Sequence, residues 1–212
     1  MVKNYCYLLI FALSLLTHNS LIHAAASNAS IINEEVLKEL KLKSKQKESI
    51  KTLVTNLSCF SSEACLKMLE HFDTKLLAKI INLPLTPYRE TLLHIVCKRD
   101  AFSANFNPEY EAAIVIFLLD NGSQINAKNF YGSHPLHCAC FSGNVTTVSV
   151  LINHQAPQKE PDNNGKSPLN IASERKAHHT QDTECDKIRS AQFAKIISCF
   201  TPAKPARPLT PR

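Results

Sequence analysis

An all-α solenoid of stacked helix pairs is the fold this sequence predicts, and three observations predict it. The first is a repeat: Gly132-Ser133-His134-Pro135-Leu136-His137-Cys138-Ala139 returns as Gly165-Lys166-Ser167-Pro168-Leu169-Asn170-Ile171-Ala172, 33 residues later at every aligned position. A period of that length marks supersecondary units that bury their apolar faces only against one another. The second is a further copy, Arg89-Glu90-Thr91-Leu92-Leu93-His94-Ile95-Val96, placed 43 residues before the central one, which is one period plus a ten-residue insertion. The third is composition: four glycines and no tryptophan beside many Leu, Ile and Ala favour helices over a β-sandwich, and 44% hydrophobic residues suit a soluble globular chain.

These residues resemble the ankyrin repeat, whose pattern is a turn glycine followed by Thr-Pro-Leu-His and a short Ala-rich helix. Pro135-Leu136-His137 and Thr91-x-Leu93-His94 match parts of it. The resemblance implies an ankyrin-type helical solenoid with short inter-repeat hairpins and helical caps, and a binding role with no particular partner attached.

In chain order, residues 1–26 read as a cleaved secretory signal. Lys3 provides the positive start, Cys6 to Leu16 an apolar core, and Ala24-Ala25-Ala26 a small-residue cleavage site before Ser27. The apolar run is shorter than the roughly 20 residues a bilayer span needs. The remaining 186 residues, enough for one domain, carry a net charge of +5. Residues 27–60 form a basic helical segment with six Lys against four Glu. There Asn33 is the expected N-cap, and the polar stretch Lys41 to Lys47 interrupts an otherwise apolar stripe. Residues 61–87 read as a degenerate capping repeat, one helix starting at Ser61 or Ser62 and a shorter one capped by Thr74. Pro84 and Pro87 end it.

The first repeat spans 88–129, with the insertion at 99–108 and a second helix from Glu109 to Asp120 stopped by Asn121-Gly122. Ile125 to Asn129 resembles the ankyrin inter-repeat hairpin. Repeat two, 130–161, starts its helix on Pro135, turns at Ser142-Gly143-Asn144 and has Gln155 where the family uses Gly. Repeat three, 162–200, keeps Pro168, Leu169 and Ala172, replaces the histidine with Asn170, and has a long polar run, Glu174 to Asp186, before a closing helix from Ile188 to Phe200. In the tail, 201–212, Pro202, Pro205, Pro208 and Pro211 fall on the three-residue period of a polyproline II helix, read as a solvated basic, disordered segment.

Candidate chemistry is sparse. No G-x-S-x-G elbow, P-loop or H-E-x-x-H occurs, so the reading is not an enzyme and requires no cofactor. His134, His137, Cys138 and Cys140 lie close together, yet paired Cys-x-x-Cys ligands are missing. The resemblance instead places the two histidines on hydrogen-bonding positions and Cys97 and Cys140 on the packing seam, so no metal is expected. Seven cysteines come after the signal, an odd number for an exported chain. Cys59 with Cys65, or Cys185 with Cys199, are the better disulfide candidates. The middle of the chain nets to zero charge, which argues against a nucleic-acid groove.

The resemblance implies a concave surface made of hairpin tips and the exposed faces of the first helices. Those positions are Lys98, Arg99, Phe130, Tyr131, Ser133, Phe141, Ser142, Glu174 and Arg175. The expected function is a noncatalytic protein-protein interaction module, exported to the periplasm or outside the cell. An alternative is an envelope-associated structural protein attached through its basic N-terminal helix, although the interspersed acids make membrane-surface contact the weaker expectation.

Overall fold

The computed structural model describes residues 32–59, 61–179 and 183–201, and the expected signal segment and Pro-rich tail lie outside them apart from Thr201. Among the described residues the chain is helical and has no strand: α1 Glu34–Glu39, α2 Ser44–Cys59, α3 Ser62–Glu70, α4 Thr74–Ile80, α5 Leu92–Cys97, α6 Pro108–Asp120, α7 Pro135–Ser142, α8 Val145–Asn153, α9 Pro168–His178 and α10 Glu184–Cys199. No helix there is long and apolar enough to cross a membrane.

Local chemistry explains most of these bounds. The Asn33 side chain accepts from the Glu35 amide, and Ser61, Asn107, Asn144, Ser167 and Thr183 cap their helices in the same manner. Asp73, not Thr74, caps α4, because a carboxylate one residue earlier already accepts from the Leu76 amide. The basic segment breaks at Leu40 to Lys43, where Lys41 adopts a φ of 48°. The polar run after Glu174 is helical to His178, and α10 starts at Glu184 rather than Ile188, since the Thr183 side chain supplies a cap that a periodicity argument does not register.

Helices α2, α5, α7 and α9 form one layer, and α3, α6, α8 and α10 form the other. The pair covering the first repeat is therefore α2 with α3. The expected partition ended a basic segment at residue 60 and grouped α3 with α4; in the structure α2 packs against α3 and α5. The reason is burial: Ile50, Leu53, Val54 and Leu57 of α2 are fully enclosed against the stack.

Each repeat is also registered on the next by its turn. Asn129 Oδ1 accepts the amides of Tyr131 and Ser133, and Asp162 Oδ1 those of Asn164 and Lys166, 33 residues on. Thr86 Oγ1 plays the same part with the Glu90 amide. Gly132 and Gly165 come next with φ of 71° and 75°, and Arg89 stands in that left-handed position in the first repeat at 58°. Gln155 replaces the expected glycine yet keeps its backbone, with φ of 63°.

The insertion does not hang free. The Asn105 carbonyl accepts from the Ser62 amide of α3. Phe102 lies over Gly143 and meets Phe193 of the third repeat at 6.4 Å between ring centres. The segment thus ties the N-terminal pair to all three repeats.

Candidate binding surface

The seam between repeats consists of two equivalent histidines. Backbone amides of Thr91 and His134 donate to Nδ1 of His94 and His137 respectively, so each ring carries its proton on Nε2 and donates to the next turn. His94 reaches the Ser133 carbonyl at 3.0 Å and His137 the Lys166 carbonyl at 3.1 Å. Both rings are buried, and burial holds their pKa values below the usual histidine range. Every nitrogen in these two rings is already engaged with backbone, which leaves neither ring available as a ligand.

His134 differs. Its register holds Thr91 in the first repeat and Ser167 in the third, hydroxyls that hydrogen-bond locally. The His134 ring is stacked on His137 and has no hydrogen-bond partner at either nitrogen. Glu160 Oε2, an exposed carboxylate also held by Lys128, is 3.4 Å away, an ion pair only if the ring is protonated. Burial pushes its pKa down to about 4, so it is neutral at physiological pH.

The thiols are equally placed for packing. Burial raises Cys97 and Cys140 well above the ordinary range and Cys138 to about 12, where a nucleophilic thiolate is inaccessible. Of the two candidate disulfides, that between Cys185 and Cys199 does not form. The two thiols are free and sit near opposite ends of α10, about 20 Å apart by helix rise, against a Cα separation under about 7 Å for a bridge. The other candidate pairing involves Cys59, whose side chain lies outside the described residues, and the Cys65 thiol donates to the Asn56 carbonyl.

The expected surface positions divide by register. Lys98, Phe141 and Glu174 occupy one equivalent register in each repeat, at the end of α5 and α7 and midway along the longer α9, and all three are exposed. The next register, Arg99, Ser142 and Arg175, turns toward the second layer. Two residues therefore leave the expected surface. Arg99 has a side chain 8% exposed and is buried against Glu111 at 2.6 Å, with a further bond to the Leu57 carbonyl. Ser142 is buried and donates to the Cys97 and Ala139 carbonyls. Ser133 is half-buried, its carbonyl held by His94.

The aromatic residues are outside. Phe130, Tyr131 and Phe141 are 63%, 47% and 56% exposed, and Tyr88 joins them at 50%. Tyr88 stacks on Tyr131 at 5.8 Å, Phe130 meets Tyr131 edge-on at 5.6 Å, and Lys98 stands over the Tyr88 ring. Sequence reasoning missed Tyr88, although the same 43-residue offset that aligns His94 with His137 aligns Tyr88 with Tyr131. The Phe130 amide donates to the Tyr88 carbonyl and the Asn163 amide to the Tyr131 carbonyl, which fixes this row of tips repeat by repeat.

A family comparison agrees with this stack of helix pairs: the model described as ankyrin repeats (3 copies) matches residues 101–181. Residues 101–181 are ankyrin repeats. Such repeats generally mediate protein-protein interaction and are generally noncatalytic. In ankyrin terms, the exposed aromatic row belongs to the hairpin tips, and Lys98, Phe141 and Glu174 to the first helices. Ion pairs flank the central repeat on both sides, Lys98 with Glu90 and Lys166 with Glu174, at equivalent positions with the signs reversed. In the central repeat those two positions hold Ser133 and Phe141. Among the described residues no group of three or more His, Cys, Asp or Glu is placed to hold a metal ion.

Proposed function

We propose that the protein is a noncatalytic module that binds another protein through its hairpin tips and first-helix ends. The observation that carries this reading is the set of four exposed aromatic rings on the first two repeats, bordered by paired charges. Buried aromatic anchors ringed by polar contacts dominate interface energies, and truncating one typically costs about 2 kcal/mol or more. The apolar stripe of α2 is packed inside the stack, which favours this reading over attachment of that helix to an envelope surface.

We propose further that the chain is exported after loss of residues 1–26, supported by the charge, apolar run and small residues of that segment. One experiment tests both. Tagged protein is recovered from fractionated cells together with whatever it holds, and compared with Tyr131→Ala and Phe141→Ala. A start at Ser27, a discrete partner, and loss of that partner in the variants at an unshifted melting temperature are expected. Retention of the partner by both variants would remove the aromatic surface from the reading, and an intact Met1 would remove export.

A further inference from the structure

The turn end of the last two repeats carries two guanidiniums that lie on aromatic rings. The Arg175 guanidinium lies 4.5 Å from the centre of Phe141 and 5.7 Å from that of Phe193, and Arg189 lies 4.8 Å from Phe102. Phe102 and Phe193 touch, so the two guanidiniums border one aromatic cluster. Helices α9 and α10 hold five Lys and Arg against three acids, Glu174, Glu184 and Asp186. Glu174 and Glu184 are paired with Lys166 and Lys187, while Asp186 accepts from Thr183, contacts His179 and attracts Arg189 from one turn away. Neither Arg175 nor Arg189 forms an ion pair among the described residues. Exposed Lys98, by contrast, is neutralised by Glu90.

A guanidinium lying on a ring keeps its in-plane N–H groups for a carboxylate, and the ring covers its apolar faces. Its orientation is then set before a ligand arrives, which lowers the ordering cost of binding. Arg175 Nε is moreover out of water with no hydrogen-bond partner, a donor the fold leaves unused. Beside it, Phe141 is exposed and supplies an apolar contact.

We propose that this turn end is a docking site for an acidic peptide, with Phe141 taking an apolar side chain and the guanidiniums of Arg175 and Arg189 taking carboxylates. The proposal rests on the protein-binding reading and names the chemistry of its partner. The test is selection of random 12-residue displayed peptides on the purified chain, followed by affinity measurement of one enriched peptide at two salt concentrations. Asp or Glu next to an apolar residue is expected in the enriched set, with affinity falling at least tenfold in Arg175→Gln and weakening with salt. Arg189→Gln, on the outer helix, provides a second variant, and melting temperatures of both show that the fold is kept. Enriched peptides without acids, or affinity unchanged in both variants, overturn the acidic site while leaving protein binding intact. Failure to enrich any peptide also overturns the acidic site, and leaves the broader reading to the capture experiment.

Discussion

At the scale of single residues, the stack treats identical positions differently according to whether another repeat packs beside them. Gly132 and Gly165 share a register and a left-handed backbone, so alanine at either carries the same steric cost of about 1–2 kcal/mol. Only Gly132 has a neighbour. A Cβ there runs into the Asn163 side chain and comes within 3.0 Å of the Asn163 backbone nitrogen, whereas a Cβ at Gly165 meets nothing within 4 Å. The clash also displaces the amide with which Asn163 holds the Phe130 carbonyl. Gly132→Ala is therefore expected to lose more stability than Gly165→Ala by at least about 1 kcal/mol, read from urea midpoints at a common m-value. Equal losses would mean that Asn163 swings aside without consequence. Leu169 reflects the same end effect: it is 37% exposed where its equivalents Leu93 and Leu136 are fully buried, because among the described residues no repeat is stacked on it.

At the scale of elements, the joint between the N-terminal pair and the first repeat depends on one buried carboxylate. Glu111 of α6 accepts from Ser62 of α3 and pairs with Arg99 beyond α5; burial raises its pKa, and the attraction of Arg99 and the Ser62 hydrogen bond oppose that. Removing one partner of a buried pair strands the other charge, at about 3–5 kcal/mol, while replacing both with apolar residues is commonly far milder. Arg99→Met is expected to destabilise strongly and Arg99→Met with Glu111→Leu much less, a double-mutant cycle in which additive losses would contradict the pairing. This joint marks where the sequence is legible and where it is not. The 33-residue period locates the repeats, their turns and the bridging histidines because each is local chemistry recurring at a fixed offset. It is silent on which helices pair across a break, so the pairing of α2 with α3 lies beyond its reach. The burial of Arg99 and Ser142 escapes it too, although each lies one residue past an exposed register position, and Glu111 beside the apolar run Ala112 to Leu119 is the available signal of a buried partner. The surface aromatics are legible as residue types, but the Tyr88 to Tyr131 stack depends on how far adjacent turns approach, which spacing alone does not state.

At the scale of the whole molecule, three neutral histidines on the seam couple the stack to pH. His94, His134 and His137 all have pKa values lowered by burial, and His134 is held at about 4. In the unfolded chain each titrates near about 6.5. Between those values the unfolded state binds more protons than the folded one, so stability is fully present above about pH 6.5 and declines as pH falls toward about 4. His134 alone accounts for about 3 kcal/mol across that window, from the drop between about 6.5 and about 4. The other two act in the same direction, since protonating Nδ1 removes the acceptor for the Thr91 or His134 amide. Glu160 works against the decline by attracting a charged His134, yet it is exposed and shared with Lys128. Urea midpoints are expected to fall for the native chain between about pH 7.5 and about pH 5, on either side of the unfolded histidine value. They should fall less for His134→Thr, which installs the hydroxyl found at the same register in the first repeat. An identical pH dependence in that variant would show that the unpartnered ring contributes nothing, and would move the acid sensitivity to the two bridging histidines. Because repeats gain stability chiefly from their neighbours, loss of the central seam is expected to uncouple the third repeat from the first.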